Sequence, residues 1–163
     1  MNISYTKIDP AGNITVIVDS FVPREQQSRV ASELMKRDVT VEQVGFLEKP
    51  DDPCCAVRLQ MMGGEFCGNA SLSAAAVIFS RAGLGKGLYC EELFEVSGAP
   101  EPVKISGHMV NSACFEGEVA MPLPESISEC SFLDGFEGYT FPLVRFPGIC
   151  HAIVPAGAIN PER

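Results

Sequence analysis

One cysteine, Cys67, lies where the sequence predicts a change from strand to helix. Alternating residues over 55–62 predict a strand, which Gly63 and Gly64 interrupt. The apolar run after Gly68 predicts a helix to about Ala82, where Gly83 would end it. The first N–H groups of a helix have no intrahelical partners, so they favour negative charge and the thiolate form of a cysteine placed there. Cys67 is therefore a candidate catalytic thiol that could accept a proton.

The residues that follow Cys67 could hold the molecule on which it acts. The N–H groups of a helix N-terminus bind carboxylates. Gly68 lets a ligand approach the backbone closely, and Asn69 could cap the helix or make a polar contact. This combination suits removal of a proton next to a carboxylate, because donors at the helix end would stabilise the negative charge that develops.

Other interpretations of the same stretch stay open on the residues alone. A cysteine before a helix is most often a small buried apolar residue. Glu65 could be the base instead, with Cys67 as packing, or it could be an exposed residue at the start of the helix. Cys54 and Cys55 are adjacent and would point to opposite faces of a strand, unlike a zinc-binding or redox pair. No metal site is predicted.

Composition limits the class of protein. The 163 residues are 46% hydrophobic and 20% charged, which predicts a single folded domain over 1–163. A net charge of −9 without a basic stripe argues against nucleic acid and anionic membranes as partners. No signal peptide and no membrane span are recognised, so the seven cysteines are expected to be reduced thiols in a cytoplasmic protein.

The hydrophobic pattern predicts an α+β fold: a curled, mixed or mostly antiparallel sheet wrapped around one buried helix. The buried helix is the one that follows Cys67, because its apolar residues extend almost all the way round. Residues 106–108, Ser-Gly-His, are expected to form a turn. A second helix is predicted over 23–37, and further strands over 3–8, 14–19, 41–47, 94–97, 103–106, 113–120, 139–146 and 150–154.

Four segments carry a family resemblance. Residues 62–70, with Cys-Gly-Asn at their centre, resemble the first catalytic motif of the diaminopimelate epimerase family. Residues 5–13 resemble its N-terminal strand and Gly-Asn turn, and 146–151 are similar to its Gly-Asn-Pro-His loop, although Ile149 stands where that loop often has Asn. Residues 42–46, Glu-Gln-Val-Gly-Phe, together with the cysteine motif, look closer to histidine racemases of metallophore synthesis.

The resemblance implies an amino-acid racemase or epimerase that needs no cofactor. It implies two similar domains, each a curled sheet around a helix with one cysteine, the two thiols acting as base and acid. This chain would then be the N-terminal half, and its partner would be the missing C-terminal domain or, in a homodimer, a second copy. Asn13, Gly68, Asn69 and His151 would bind the small amino-acid substrate.

The identity of that amino acid stays open, because residues 70–71 are Ala-Ser in place of the Gly-Ala-Arg of diaminopimelate epimerases. Two alternatives also remain. One is an isomerase of the same fold that uses a carboxylate as base, and the other is an inactive isolated half. The final residues, 160–163, look like the start of a loop or helix, which predicts that the chain is a fragment.

Overall fold

The chain is described here from a computed structural model, which describes residues 2–83, 87–131, 138–155 and 157. The expectation for residues 160–163 lies outside the described residues. The elements are β1 Tyr5–Ile8, β2 Thr15–Val18, α1 Arg24–Arg37, β3 Gln43–Glu48, β4 Val57–Met61, α2 Gly68–Arg81, β5 Cys90–Val96, β6 Val103–Asn111, β7 Cys114–Val119, β8 Ser126–Cys130, β9 Phe141–Phe146 and β10 Ile149–Ala152.

Strands β1 to β7 form one sheet in chain order. The pairs β2–β3 and β4–β5 are parallel, and the other neighbours are antiparallel. Each parallel pair is joined by a helix, α1 in the first case and α2 in the second, because parallel neighbours require a crossover connection. The predicted α+β class with a mixed sheet is confirmed.

Helix α2 lies on the concave side of this sheet. It contacts β2, β3 and β4 and also β6 and β7, so the sheet curls around it as a half-barrel. Three alanines, Ala70, Ala74 and Ala75, are fully buried and let the strands approach the helix closely. Gly83, with φ +64°, takes the left-handed conformation just after the helix, as the sequence predicts. Neither helix in the described part of the chain is long and apolar enough to cross a bilayer.

Helix α1 covers the opposite face of the sheet at β2 and β3. In β2, Val16 and Val18 point to α1 while Ile17 joins the core around α2, so this strand is buried on both faces. Gly45 of β3 faces the core around α2, which we call the inner core. A Cβ at Gly45 would lie 2.7 Å from Leu59 Cδ1. This glycine therefore leaves room for the side chain of Leu59.

The segment 106–108 does not form the turn that was predicted, because it lies inside β6. Gly107 pairs with Gly117 of β7, and the ring of Phe115 lies over both glycines. A Cβ at Gly107 would be 2.6 Å from Phe115 Cζ, and the same ring packs edge to face against Phe79 of α2. The glycine is thus required for packing inside the sheet.

The last three strands form a separate antiparallel sheet in the order β10–β9–β8. Strand β8 was not predicted, because Ile127 is its only strongly apolar residue before Cys130. Among the described residues, neither hydrophobic cluster of the first sheet contains a residue of β8, β9 or β10, and Ile127 is 70% exposed. A three-stranded sheet needs a covered face to be stable, so this sheet depends on what packs against it.

A charged cluster joins α1 to the sheet at Glu48. The carboxylate accepts hydrogen bonds from Arg24 and Gln27 of α1 and forms an ion pair with Arg58 of β4. Partial burial alone would raise the pKa of Glu48. The hydrogen bonds from Arg24 and Gln27 and the positive charges nearby outweigh burial, and they hold this pKa below its usual value.

Glu48→Gln is therefore expected to lower stability at neutral pH, by up to about 1 kcal/mol. A carboxyl group whose pKa is lower in the folded state stabilises the fold above its unfolded-state pKa, about 4.3, and loses this effect as the pH falls through the folded-state value. Urea unfolding of both proteins from neutral to acidic pH should therefore show their midpoints converging below about pH 4. Glu25→Gln, on the exposed side of α1, is the control. A constant gap between Glu48→Gln and wild type at all pH values would contradict this role.

Candidate active site

Cys67 is the residue that caps the N-terminus of α2. Its backbone is extended, with φ −137° and ψ 113°, and the helix begins at Gly68. The sulfur accepts a hydrogen bond from Ala70 N at 3.4 Å, and the Ser71 hydroxyl donates to the Cys67 carbonyl at 2.8 Å. Asn69 lies within the first helical turn, so the idea that it caps the helix was wrong. The half-buried thiol therefore lies at the first turn of α2, bonded to the N–H of Ala70.

The loop before the thiol is held by the turn after β5. The Ser97 hydroxyl donates to the Glu65 carbonyl at 2.9 Å and accepts from Met61 N at 2.9 Å, which ties the loop to the end of β4. Gly98 has φ +73°, and a Cβ there would collide with the backbone at Glu65 and Phe66. The side chain of Phe66 is itself buried in the inner core. The position of the thiol is thus fixed by tertiary contacts as well as by the helix.

A glutamine links the thiol to the turn before β2. Gln43 Oε1 lies 3.0 Å from Cys67 Sγ, and Gln43 Nε2 donates to Asn13 Oδ1 at 2.9 Å and to Thr15 Oγ1 at 3.0 Å. Thr15 and Gln43 are partners in the parallel pair β2–β3. The structure therefore links Asn13 to Cys67 through Gln43, a residue that the sequence analysis did not assign to the site. The feature of the sequence that could have indicated Gln43 is a polar amide at the start of a strand whose next residues are apolar.

Gly68 lies at the rim of the site against the end of β7. A Cβ at Gly68 would be 3.2 Å from Met121 Sδ and 3.6 Å from Val119 Cγ1, so a side chain here would displace the methionine. Met121 is 59% exposed, and no pattern in the sequence indicated that it lies beside Gly68. Asn69 is half-buried beside Gly68, and its carbonyl accepts a hydrogen bond from Ser73 Oγ at 2.8 Å.

His151 lies on β10 opposite Val144 and is exposed. Its ring contacts Phe146 edge to face, with centroids 5.9 Å apart. The turn between β9 and β10 reaches the loop before the thiol, where a Cβ at Gly148 would lie 3.5 Å from the Gly64 carbonyl oxygen. The hairpin that carries His151 thus contacts the loop that precedes Cys67. Within the described residues, no hydrogen bond joins the His151 and Cys67 side chains.

Glu65, the alternative base, is oriented toward the glycine turn. Its carboxylate lies over Gly63, where a Cβ would be 2.5 Å from Glu65 Oε2. At the start of α2, the N–H of Ala70 donates to the sulfur of Cys67 instead. Across the described ranges, no group of three His, Cys, Asp or Glu side chains could hold a metal ion. The thiol of Cys67, and not the carboxylate of Glu65, is the group that accepts a hydrogen bond from the start of α2.

Sequence comparison identifies relatives along the whole chain. The family described as histidine racemase CntK N-terminal domain matches residues 2–163. A histidine racemase of Fusobacterium nucleatum is 34% identical over 156 residues, which cover 93% of this chain and 54% of that protein. A histidine racemase of Staphylococcus aureus is 27% identical over 164 residues, which cover 98% and 57%. The chain thus spans about half the length of the curated relatives it matches.

Solved structures share the fold. A probable proline racemase from Agrobacterium radiobacter matches with a TM-score of 0.67 and 14% identity, over 96% of this chain and 53% of that one. A hydroxyproline epimerase from Agrobacterium vitis matches with a TM-score of 0.67 and 11% identity, over 96% and 52%. These likenesses confirm the curled half-barrel of racemases and epimerases. With the sequence match over residues 2–163, the chain belongs to the histidine racemase CntK N-terminal domain family.

Proposed function

We propose that this chain supplies one of the two catalytic thiols of a cofactor-independent amino-acid racemase or epimerase. The observation that carries the proposal is the position of Cys67 Sγ, which accepts from Ala70 N at the start of α2 and is linked through Gln43 to Asn13. From this position the thiol would transfer a proton beside the N–H groups that would hold a carboxylate. Membership of the histidine racemase family supports the same reaction class.

The proposed reaction inverts an α-carbon in two proton transfers. The Cys67 thiolate takes the α-proton as the C–H bond breaks, and the electron pair passes into the substrate carboxylate. A second thiol, from the other half of the protein, then gives its proton to the opposite face of the carbon. The backbone N–H groups of Gly68 and Asn69 would hold the carboxylate and stabilise its added charge. In the reverse direction the two thiols exchange roles.

Asn13 and His151 are proposed as the remaining substrate contacts in this half. Asn13 is already linked to the thiol through Gln43. His151 lies on the hairpin whose turn meets the loop before Cys67. Because the net charge of the chain is −9, the overall field repels a carboxylate, and binding would depend on these local donors.

We propose that the second thiol comes from a C-terminal half, so that the chain by itself is inactive. The match to about half of each racemase supports this arrangement, as does the exposure of Ile127 on β8. A homodimer of this chain is less suitable, since two identical faces would have to hold an asymmetric substrate. Cytoplasmic localisation is proposed from the seven cysteines, which are free thiols.

The test is deuterium exchange at the α-carbon in deuterated water, using the protein that carries both halves. Because the relatives are histidine racemases, L-histidine is the first substrate to test, followed by diaminopimelate and proline. We expect deuterium at the α-carbon and formation of the opposite enantiomer. Absence of exchange with every amino acid tried would contradict the proposed function.

Glu65→Gln separates the thiol mechanism from the carboxylate mechanism. If Cys67 is the base, the variant should keep most of its exchange rate, because the amide has the same size and Ser97 bonds the backbone of residue 65 rather than its side chain. Loss of a general base costs about 10²- to 10⁴-fold. A loss of that size in Glu65→Gln would assign the base to the carboxylate.

A further inference from the structure

We propose that Gln43 is a positioning residue that couples the protonation state of Cys67 to the orientation of the Asn13 amide. This role rests on the proposed function in taking Cys67 as the group that gains and loses a proton. It goes beyond that function because it makes one substrate-contacting side chain depend on the state of the thiol.

The hydrogen bonds define the orientation of the Gln43 amide. The Thr15 hydroxyl donates its hydrogen to the Asn13 carbonyl at 3.0 Å, so its oxygen must accept from Gln43 Nε2. The same nitrogen donates to Asn13 Oδ1 at 2.9 Å. The amide oxygen of Gln43 is thereby directed at Cys67 Sγ, 3.0 Å away, where it accepts the S–H hydrogen. The sulfur thus donates its hydrogen to Gln43 Oε1 and accepts from the N–H of Ala70.

Loss of the thiol proton leaves two acceptors, the sulfur and Gln43 Oε1, facing each other at 3.0 Å. Rotation of the glutamine amide by half a turn removes this conflict and gives the thiolate an N–H donor. The amide oxygen then faces Thr15 and Asn13. Thr15 can turn its hydroxyl hydrogen toward that oxygen, and Asn13 can satisfy it only by turning its own amide to present Nδ2–H.

The network is shielded enough for these choices to matter. Thr15 is fully buried, and Gln43 and Asn13 are half-buried. Water therefore competes poorly for the donors and acceptors, and an unpaired group would cost about 1–3 kcal/mol. Each proton transfer at Cys67 is consequently matched by a reversal at Asn13. With the thiol protonated, Asn13 offers Nδ2–H to a ligand; with the thiolate, it offers Oδ1.

The coupling can be measured on this chain without turnover, as the rate at which iodoacetamide alkylates Cys67 at one near-neutral pH. Peptide mass spectrometry identifies Cys67 among the seven cysteines of the chain. In Asn13→Asp, the carboxylate can only accept, so it should hold Gln43 Nε2 and keep Oε1 on the sulfur. We expect Cys67 alkylation to slow by about tenfold.

Thr15→Val should change the same rate in the opposite direction. With the thiol protonated, the Thr15 hydroxyl accepts from Gln43 Nε2 and donates to the Asn13 carbonyl, whereas after the rotation it only donates to Gln43 Oε1. Valine therefore removes more hydrogen bonds from the first arrangement, and the glutamine can more readily turn its N–H to the thiolate. We expect alkylation to rise by about threefold, and Thr15→Ser to restore the wild-type rate. A fall in Thr15→Val, or no change in both Asn13→Asp and Thr15→Val, would overturn the coupling.

The charge of an aspartate at position 13 could also slow alkylation directly, so the decisive measurement is a double-mutant cycle. If the effect passes through Gln43, Asn13→Asp should change the rate by less than about twofold in a Gln43→Met background. An equal slowing in both backgrounds would overturn the proposal. Should Gln43→Met fail to fold, Gln43→Leu replaces it in the cycle and the same two outcomes apply.

Gln27→Met is the matched control, because Gln27 is a buried glutamine whose amide donates to Val22 and Glu48, away from the thiol. It should lower the thermal midpoint and leave the Cys67 rate unchanged. If Gln27→Met changed the Cys67 alkylation rate as much as Thr15→Val does, the rate would be following overall stability, and the proposal would be contradicted. Because alkylation needs no substrate, a protein without α-proton exchange can still show the coupling, so the two hypotheses fail separately.

Discussion

Cys67→Ser, in the protein that carries both halves, is expected to lower α-proton exchange by at least about 10²-fold. A serine hydroxyl has nearly the same size but does not ionise near neutral pH, so it cannot act as the base that a thiolate provides. The measurement is the rate of deuterium incorporation at the α-carbon of L-histidine, or of whichever amino acid the wild-type protein turns over.

The same substitution should leave the fold intact, which makes a loss of activity interpretable. Serine is among the best residues for the N-cap position that Cys67 occupies, so α2 should be as stable as before or slightly more so. Thermal unfolding checks this point. Cys114→Ser, at an exposed cysteine on β7, is the control and should retain normal exchange. Exchange at the wild-type rate in Cys67→Ser would remove Cys67 from the mechanism.

Gly98→Ala is expected to reduce both stability and activity. At φ +73° an alanine is strained, and its Cβ would lie against the backbone of Glu65 and Phe66, which cannot rotate away as a side chain could. The loop that ends at the thiol must therefore shift. We expect the free energy of unfolding to fall by about 2–4 kcal/mol, measured by denaturant titration. Alkylation of Cys67 should change as well, because the thiol moves relative to the helix donors.

Gly83→Ala separates backbone strain from the collision. Gly83 has a similar φ of +64°, but nothing lies within 4 Å of the place that its Cβ would take. It should cost only about 1 kcal/mol, and alkylation of Cys67 should stay at the wild-type rate. Equal losses of stability in Gly83→Ala and Gly98→Ala would mean that the contact of Gly98 with the loop before Cys67 contributes nothing to stability beyond the positive φ.

Local sequence patterns predicted the elements that carry the thiol. The alternation in β4, the glycines at 63–64, the apolar run of α2 and the glycine at 83 each reflect a preference that acts over a few residues. Strand β8 was missed because such local patterns depend on apolar residues, and Ile127 is its only strongly apolar residue before Cys130. The predicted turn at 106–108 was wrong because a glycine that makes room for an aromatic ring has the same local pattern as a glycine in a turn.

What the sequence determined by itself is therefore the thiol at the start of a buried helix, together with the mixed sheet that must surround it. The tertiary structure decided which groups meet that thiol. Gln43 lies 24 residues from Cys67 along the chain, Asn13 lies 30 residues from Gln43, and Ser97 lies 32 residues from the Glu65 carbonyl it bonds. Such contacts depend on the register of β2 against β3 and on the curl of the sheet around α2. Both are set by packing across the whole core, which no short pattern records.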